Sequence, residues 1–166
     1  SFEITRFDLA VPSTGLAGAQ GYYGIEADLT VTRLEENKFL VVTGAAPQTR
    51  DMAWLKRHTP SDAHCVATDI TSGLPMIAIM GPKSRALLEK VSGADLSNAA
   101  FPFGTARHIS VASCPVLALR VTYVGELGWE LHLPTDCAVT VYEALMQAGT
   151  PHGLRNAGYR AIETLR

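Results

Sequence analysis

Two short strings hold the side chains whose types and spacing could do chemistry. The first is Gly24-Ile-Glu-Ala-Asp-Leu-Thr-Val-Thr32, an alternating run in which Asp28 shares a side with Thr30 and is bracketed by Ile25, Leu29 and Val31. A carboxylate so placed is either solvated on an outer face or lines a cavity beside apolar surface. In a cavity, desolvation raises its pKa and a ligand amine lowers it, which suits proton transfer at a nitrogen. The second string is Val121-Thr-Tyr-Val-Gly-Glu-Leu-Gly-Trp-Glu-Leu-His-Leu-Pro134. Leu127, Trp129, Leu131 and Leu133 fall on one side of its outgoing run, and Glu130 and His132 on the other, with Tyr123 assigned to the same polar face. A phenol, a carboxylate and an imidazole on one face either meet solvent or wall a ligand. The pattern alone leaves both readings open.

These side chains need strands to hold them. The second string predicts an antiparallel hairpin with its turn at Gly125-Glu126-Leu127-Gly128, where Glu126 is a turn residue. Upstream, strands over 24–34 and Phe39–Thr43 form another hairpin around the polar turn Glu35-Glu36-Asn37-Lys38. A helix follows over Pro47–His58, with Thr49 as N-cap and Met52 and Leu55 inward. Strands Cys65–Thr71 and Leu74–Met80 flank a Ser72-Gly73 turn. Gly81-Pro82 opens a helix over Lys83–Val91, with Leu87, Leu88 and Val91 as its apolar stripe. Strands Ala106–Val111 and Val116–Val124 lead into the signature hairpin. Thr135 caps a last full helix to Gln147, with Val139, Tyr142, Leu145 and Met146 inward. Trp54 and Trp129 are expected in the core. Strand pairs punctuated by single helices indicate an α+β fold, antiparallel sheets with helices packed on one side.

Residues 1–22 read as an irregular segment. Their Gly15, Gly18 and Gly21 precede a strand rather than open a helix, so they do not make a dinucleotide loop. Ala157–Arg166 reads as the start of a helix whose apolar face, begun by Ile162 and Leu165, runs off the end. The expectation is a fragment of a larger protein, with residues 23–166 a partial domain truncated at both ends.

Composition removes several function classes. The chain has 166 residues, 47% of them apolar, and a formal net charge of −2. Its basic residues are scattered, without the stripe that grips nucleic acid. No apolar run approaches a membrane span. Cys65, Cys114 and Cys137 are too far apart for a thiolate metal site, and the five histidines form no metal-binding spacing, so no metal is expected.

The composite string Leu119–Leu133 resembles the folate-binding domain of the glycine-cleavage T-protein (aminomethyltransferase) family, which keeps Tyr-x-Gly-Glu-x-Gly-aromatic-Glu. It is more similar still to the version fused to dimethylglycine and sarcosine dehydrogenases, as is Gly158–Arg166. The run around Asp28 resembles the family's Gly-Gly-Ile-x-x-Asp-Leu-x-Val, and the Met80-Gly81-Pro82 passage is similar too. Ser1–Tyr22 does not match the family's lead-in. Where free T-proteins show Ala-Arg-Asp, this chain has Ala161-Ile162-Glu163, which removes an arginine expected there.

The resemblance implies interlocked ferredoxin-like sub-domains around a folate cavity. It makes Asp28 the catalytic carboxylate facing the reactive nitrogens of tetrahydrofolate. Thr30, Gly44, Tyr123, Glu130, Leu131 and His132 become its binding residues, Glu130 pairing with the amino and ring N–H groups of the pterin. The implied activity captures a one-carbon unit from an N-methyl amine, or an aminomethyl donor, as 5,10-methylenetetrahydrofolate. FAD would belong to a fused flavin domain outside this chain. The expected partners are the folate, the amine donor and that flavin domain, with neither nucleic acid nor membrane. The expected location is the cytoplasm, or the mitochondrial matrix in a eukaryote. A non-catalytic folate-binding or scaffold module is the other reading.

Overall fold

The computed structural model describes residues 2–5, 27 and 29–165 of the chain, which divides into two units, Ser1–Thr71 and Ser72–Arg166. The first unit is a four-stranded antiparallel sheet built from β1 (Phe2–Thr5), β2 (Thr30–Glu35), β3 (Lys38–Val42) and β4 (Val66–Asp69), in the order β2-β3-β1-β4. Helix α1 (Gln48–His58) packs Met52 and Leu55 against Val41, with Phe39, Cys65 and Ala67 around them. Pro47, not Thr49, stands at the N-cap, without a side-chain hydrogen bond.

The second unit is also a four-stranded antiparallel sheet. Its strands are β5 (Met76–Met80), β6 (Ala106–Val111), β7 (Cys114–Leu119) and β8 (Gly128–His132), in the order β5-β8-β7-β6. Helices α2 (Ser84–Val91) and α3 (Ala138–Gly149) supply Leu87, Leu88, Val141 and Leu145 to one core with Trp129, Leu131 and Leu133. A short helix, α4 (Tyr159–Leu165), follows. The α+β reading therefore holds: two antiparallel sheets, with α1 packed on the first and α2 and α3 against one face of the second. Among the described residues no helix is long and apolar enough to cross a membrane.

Several elements differ from the sequence expectation, each for a local reason. Phe2–Thr5, read as irregular, pairs with both β3 and β4, because two neighbouring strands offer it a complete ladder. The runs around Ser72-Gly73 do not make a hairpin: β4 bonds to β1 and β5 to β8, so the segment between them joins the two units. Thr135 opens a 3₁₀ turn (Thr135–Cys137), and its hydroxyl donates to the Ser72 carbonyl rather than capping a helix. That turn shifts the phase of α3. Val139 and Tyr142 are 66% and 41% exposed, Leu145 faces inward as expected, and Val141 joins it in the core. Trp54 lies on the surface, stacked on His58 with ring centroids 4.0 Å apart.

The signature hairpin departs most. β7 stops at Leu119, and residues 120–127 form an irregular connection to β8 instead of a tight turn. Arg120 leaves the β7–β8 ladder because its amide donates to the Thr105 carbonyl, and its own carbonyl accepts from Gly104. Gly125, at φ +76, then supplies a left-handed bend that a side chain would resist. Tyr123 is thereby taken off the strand it was expected to share a face with.

Candidate functional site

Strand β8 lies between β5 and β7, and its register fixes which way each side chain points. Glu130 pairs with Ala78 and Leu119, and His132 with Met76 and Leu117. Residues directly opposite one another share a face. Glu130 and His132 therefore lie on the face turned away from α2 and α3, while Trp129, Leu131 and Leu133 enter the helix-side core with no exposed surface. This part of the sequence pattern is realised residue by residue.

What the pattern could not reveal is how deeply the polar pair is covered. His132 is 1% exposed, and the side chain of Glu130 retains 16% of its surface. Both ring nitrogens of His132 and Oε2 of Glu130 are buried without a hydrogen-bond partner. His132 Nε2 and Glu130 Oε2 are 3.7 Å apart, near enough for charge to act and too far for a hydrogen bond. A buried polar group left unpaired costs about 1–3 kcal/mol. Native chains seldom carry several together except where function uses them.

The opposite side of β8 explains what holds the pair in place. The Arg120 guanidinium lies 5.6 Å from the centre of the Trp129 ring and that of Arg85 5.9 Å, with Phe101 edge-on at 6.3 Å. Arg120 donates to the Phe101 carbonyl at 2.5 Å and to Asn98 Oδ1 at 2.8 Å; Arg85 donates to the same Asn98 oxygen at 2.6 Å. Burial, and then the neighbouring Arg85 charge, hold the Arg120 pKa below its ordinary value. Trp129 Nε1 and Arg120 Nε are also unpaired there. Gly128 lets β5 close in, since a Cβ would come within 2.8 Å of Met80 Cγ. Arg120 directly precedes the signature, yet nothing in its spacing pointed to this stacking.

The other expected site residues are distributed unevenly. Tyr123 donates its hydroxyl to the Glu163 carboxylate of α4, so Glu163, unassigned from sequence, joins the constellation. Leu131 turns its side chain into the core and cannot wall a ligand with it. In the first unit Thr30 pairs with Val42 at the start of β2 and is exposed. Gly44, also exposed, follows β3, where a Cβ would meet Pro47 Cδ at 3.2 Å. Asp28 lies outside the described residues. Asp51, which sequence reasoning passed over, is 5% exposed and accepts from the Thr43 hydroxyl and, at 3.0 Å, from the Arg50 guanidinium. Among the described residues no three histidines, cysteines or carboxylates gather as metal ligands.

A separate cavity of about 300 Å³ lies where the Gly81-Pro82 turn meets residues 152–155. Lys83, Ser84, His152 and Arg155 help to line it, and Glu130 and His132 do not.

Comparison with known proteins places the site in context. The family model described as the GCVT N-terminal domain matches residues 16–166. Human mitochondrial sarcosine dehydrogenase is 43% identical over 156 residues, a match covering 86% of this chain and 17% of that protein. The aminomethyltransferase of Shouchella clausii is 36% identical over 143 residues, covering 86% of this chain and 38% of that enzyme. The chain thus spans well under half the length of either relative. Among solved structures, the heterotetrameric sarcosine oxidase of Corynebacterium sp. U-96, in complex with pyrrole 2-carboxylate, superposes with a TM-score of 0.62 at 21% identity. That match covers 81% of this chain and 66% of the other, and at this identity it speaks for the fold.

Proposed function

This chain belongs to the GCVT N-terminal domain family, and on that premise we propose that it is a folate-dependent one-carbon transfer domain binding tetrahydrofolate. The observation that carries this reading is the buried Glu130–His132 pair on the face of the second sheet turned away from α2 and α3. A buried carboxylate oxygen without a donor fits a ligand edge rich in N–H groups, which is what the amino-pyrimidinone edge of a pterin offers. Glu130 accepts from that edge, and His132 lies beside it on the same wall. Tyr123, oriented by Glu163, contributes its phenol, and Leu131 contributes backbone only. In the first unit, Asp28, Thr30 and Gly44 keep the folate-directed roles that the family resemblance implies.

When bound, tetrahydrofolate supplies the two nitrogens that receive the one-carbon unit. Asp28 holds or releases the proton at the amine nitrogen during that capture. The rest of the rate comes from orientation and from keeping water away from a reactive carbon. The donor is an N-methyl amine oxidised by a flavin domain in the same polypeptide, with the mitochondrial matrix or the bacterial cytoplasm as its setting. The dehydrogenase-type setting is preferred to a free aminomethyltransferase, in keeping with the higher identity to sarcosine dehydrogenase.

The test uses the longest native polypeptide that carries this chain. Asp28→Ala should abolish tetrahydrofolate-dependent capture of the one-carbon unit while leaving the melting temperature unchanged. Wild-type capture by the variant would remove Asp28 from the mechanism.

A further inference from the structure

Arg85 in α2 and Arg120, which directly follows β7, bring two guanidiniums to one oxygen. Asn98 Oδ1 accepts from Arg85 Nη2 at 2.6 Å and from Arg120 Nη2 at 2.8 Å. Their other acceptors are backbone carbonyls: Leu96 for Arg85 Nε at 2.9 Å, and Phe101 for Arg120 Nη1. A third guanidinium, from Arg107 of β6, donates to the Ala100 carbonyl of the same segment at 2.8 Å. Among the described residues no carboxylate forms an ion pair with any of the three. The nearby Asp95 turns an oxygen to the Ser97 amide at 2.9 Å instead. Buried charges are ordinarily paired. Arg120 is only 8% exposed, and its Nε lacks a partner, as does Trp129 Nε1 in the same stack. The cluster is rich in donors and has no negative acceptor.

Asn98 is the replaceable member. It is exposed and Arg85 is half-buried, so solvent reaches this end of the cluster. A neutral amide oxygen held between two guanidiniums stands where a carboxylate or phosphate oxygen would make charge-assisted bonds, roughly twice as strong. A negative group there would also offset the repulsion between the two arginines. We propose that Arg85 and Arg120 form a receptor for a small oxyanion, the chemistry shared by phosphate and carboxylate groups, with the Asn98 side chain occupying the oxygen position in its absence. The receptor lies on the core side of β8, opposite Glu130 and His132, and does not rest on the folate reading.

The test is the Tm of the longest native polypeptide carrying this chain, at constant ionic strength, with chloride replaced by inorganic phosphate or by acetate. The expected result is a Tm that rises and saturates with at least one of the two anions, by roughly 3 °C at ten times the dissociation constant. Asn98→Asp supplies the carboxylate from within, so it should raise Tm in chloride by a similar amount and abolish the anion response. Arg85→Lys keeps the charge but loses the fork, and should weaken anion affinity at least about tenfold. Glu130→Gln should keep the response, which separates this receptor from the folate wall. A wild-type Tm indifferent to both anions would overturn the proposal. So would a response that persists unchanged in Asn98→Asp, or a fall in Tm on that substitution.

Discussion

The two units use the same ingredients, four antiparallel strands and packed helices, to different ends. The second unit buries Trp129, Phe101, Leu88, Leu131 and Val141 completely and closes a continuous core beneath β8. In the first unit, among the described residues, α1 packs on a cluster whose buried member is Val41, and Val31 and Val66 remain exposed. The unpaired polar groups follow the same division. Glu130 and His132 lie on the face of the second sheet turned away from its core, while among the described residues Thr30 and Gly44 of the first unit are exposed. A scaffold can hold unsatisfied buried groups only if it has stability in excess of their cost. The comparison teaches that the second unit backs its unpaired Glu130 and His132 with a continuous core on the other face of β8.

The largest expected effect breaks that support directly. Trp129→Ala should cost about 3–5 kcal/mol in chemical denaturation, since it removes the ring that Phe101, Arg85 and Arg120 surround. An effect below about 1 kcal/mol would mean that β8 is not held from its core side.

In the first unit the equivalent fastening is polar. Asp51→Ala removes the acceptor of both Thr43 and Arg50 and should cost about 1–3 kcal/mol. A neutral result there would show that α1 is held by Met52 and Leu55 alone.

The smallest effect is the most telling in sign. His132→Leu replaces an unpaired buried imidazole with an apolar side chain and should stabilise the chain by about 1 kcal/mol while weakening folate binding. Destabilisation of similar size would show instead that the imidazole holds the face together.

The legibility of the molecule follows the same physical lines. Period-two alternation placed Trp129, Leu131 and Leu133 opposite Glu130 and His132, because strand pleating leaves no other arrangement. Helix α2 and its buried Leu87 and Leu88 were equally plain. Long-range competition was not. The pairing of Phe2–Thr5 depends on β3 and β4, and the retreat of residues 120–127 from the ladder depends on Thr105, Phe101 and Asn98. The inward phase of α3 shifted because a 3₁₀ turn precedes it. Glu163 stayed hidden because its partner, Tyr123, is distant in sequence and the two meet only once α4 forms.

The central claim is that Glu130, buried beside His132, is the acceptor for the pterin edge. The most direct measurement is calorimetric titration of the longest native polypeptide carrying this chain with tetrahydrofolate, wild type against Glu130→Gln. Loss of a charged acceptor predicts a Kd weakened at least about tenfold, roughly 1.4 kcal/mol, with an unchanged melting temperature. An equal Kd in the two proteins would contradict it.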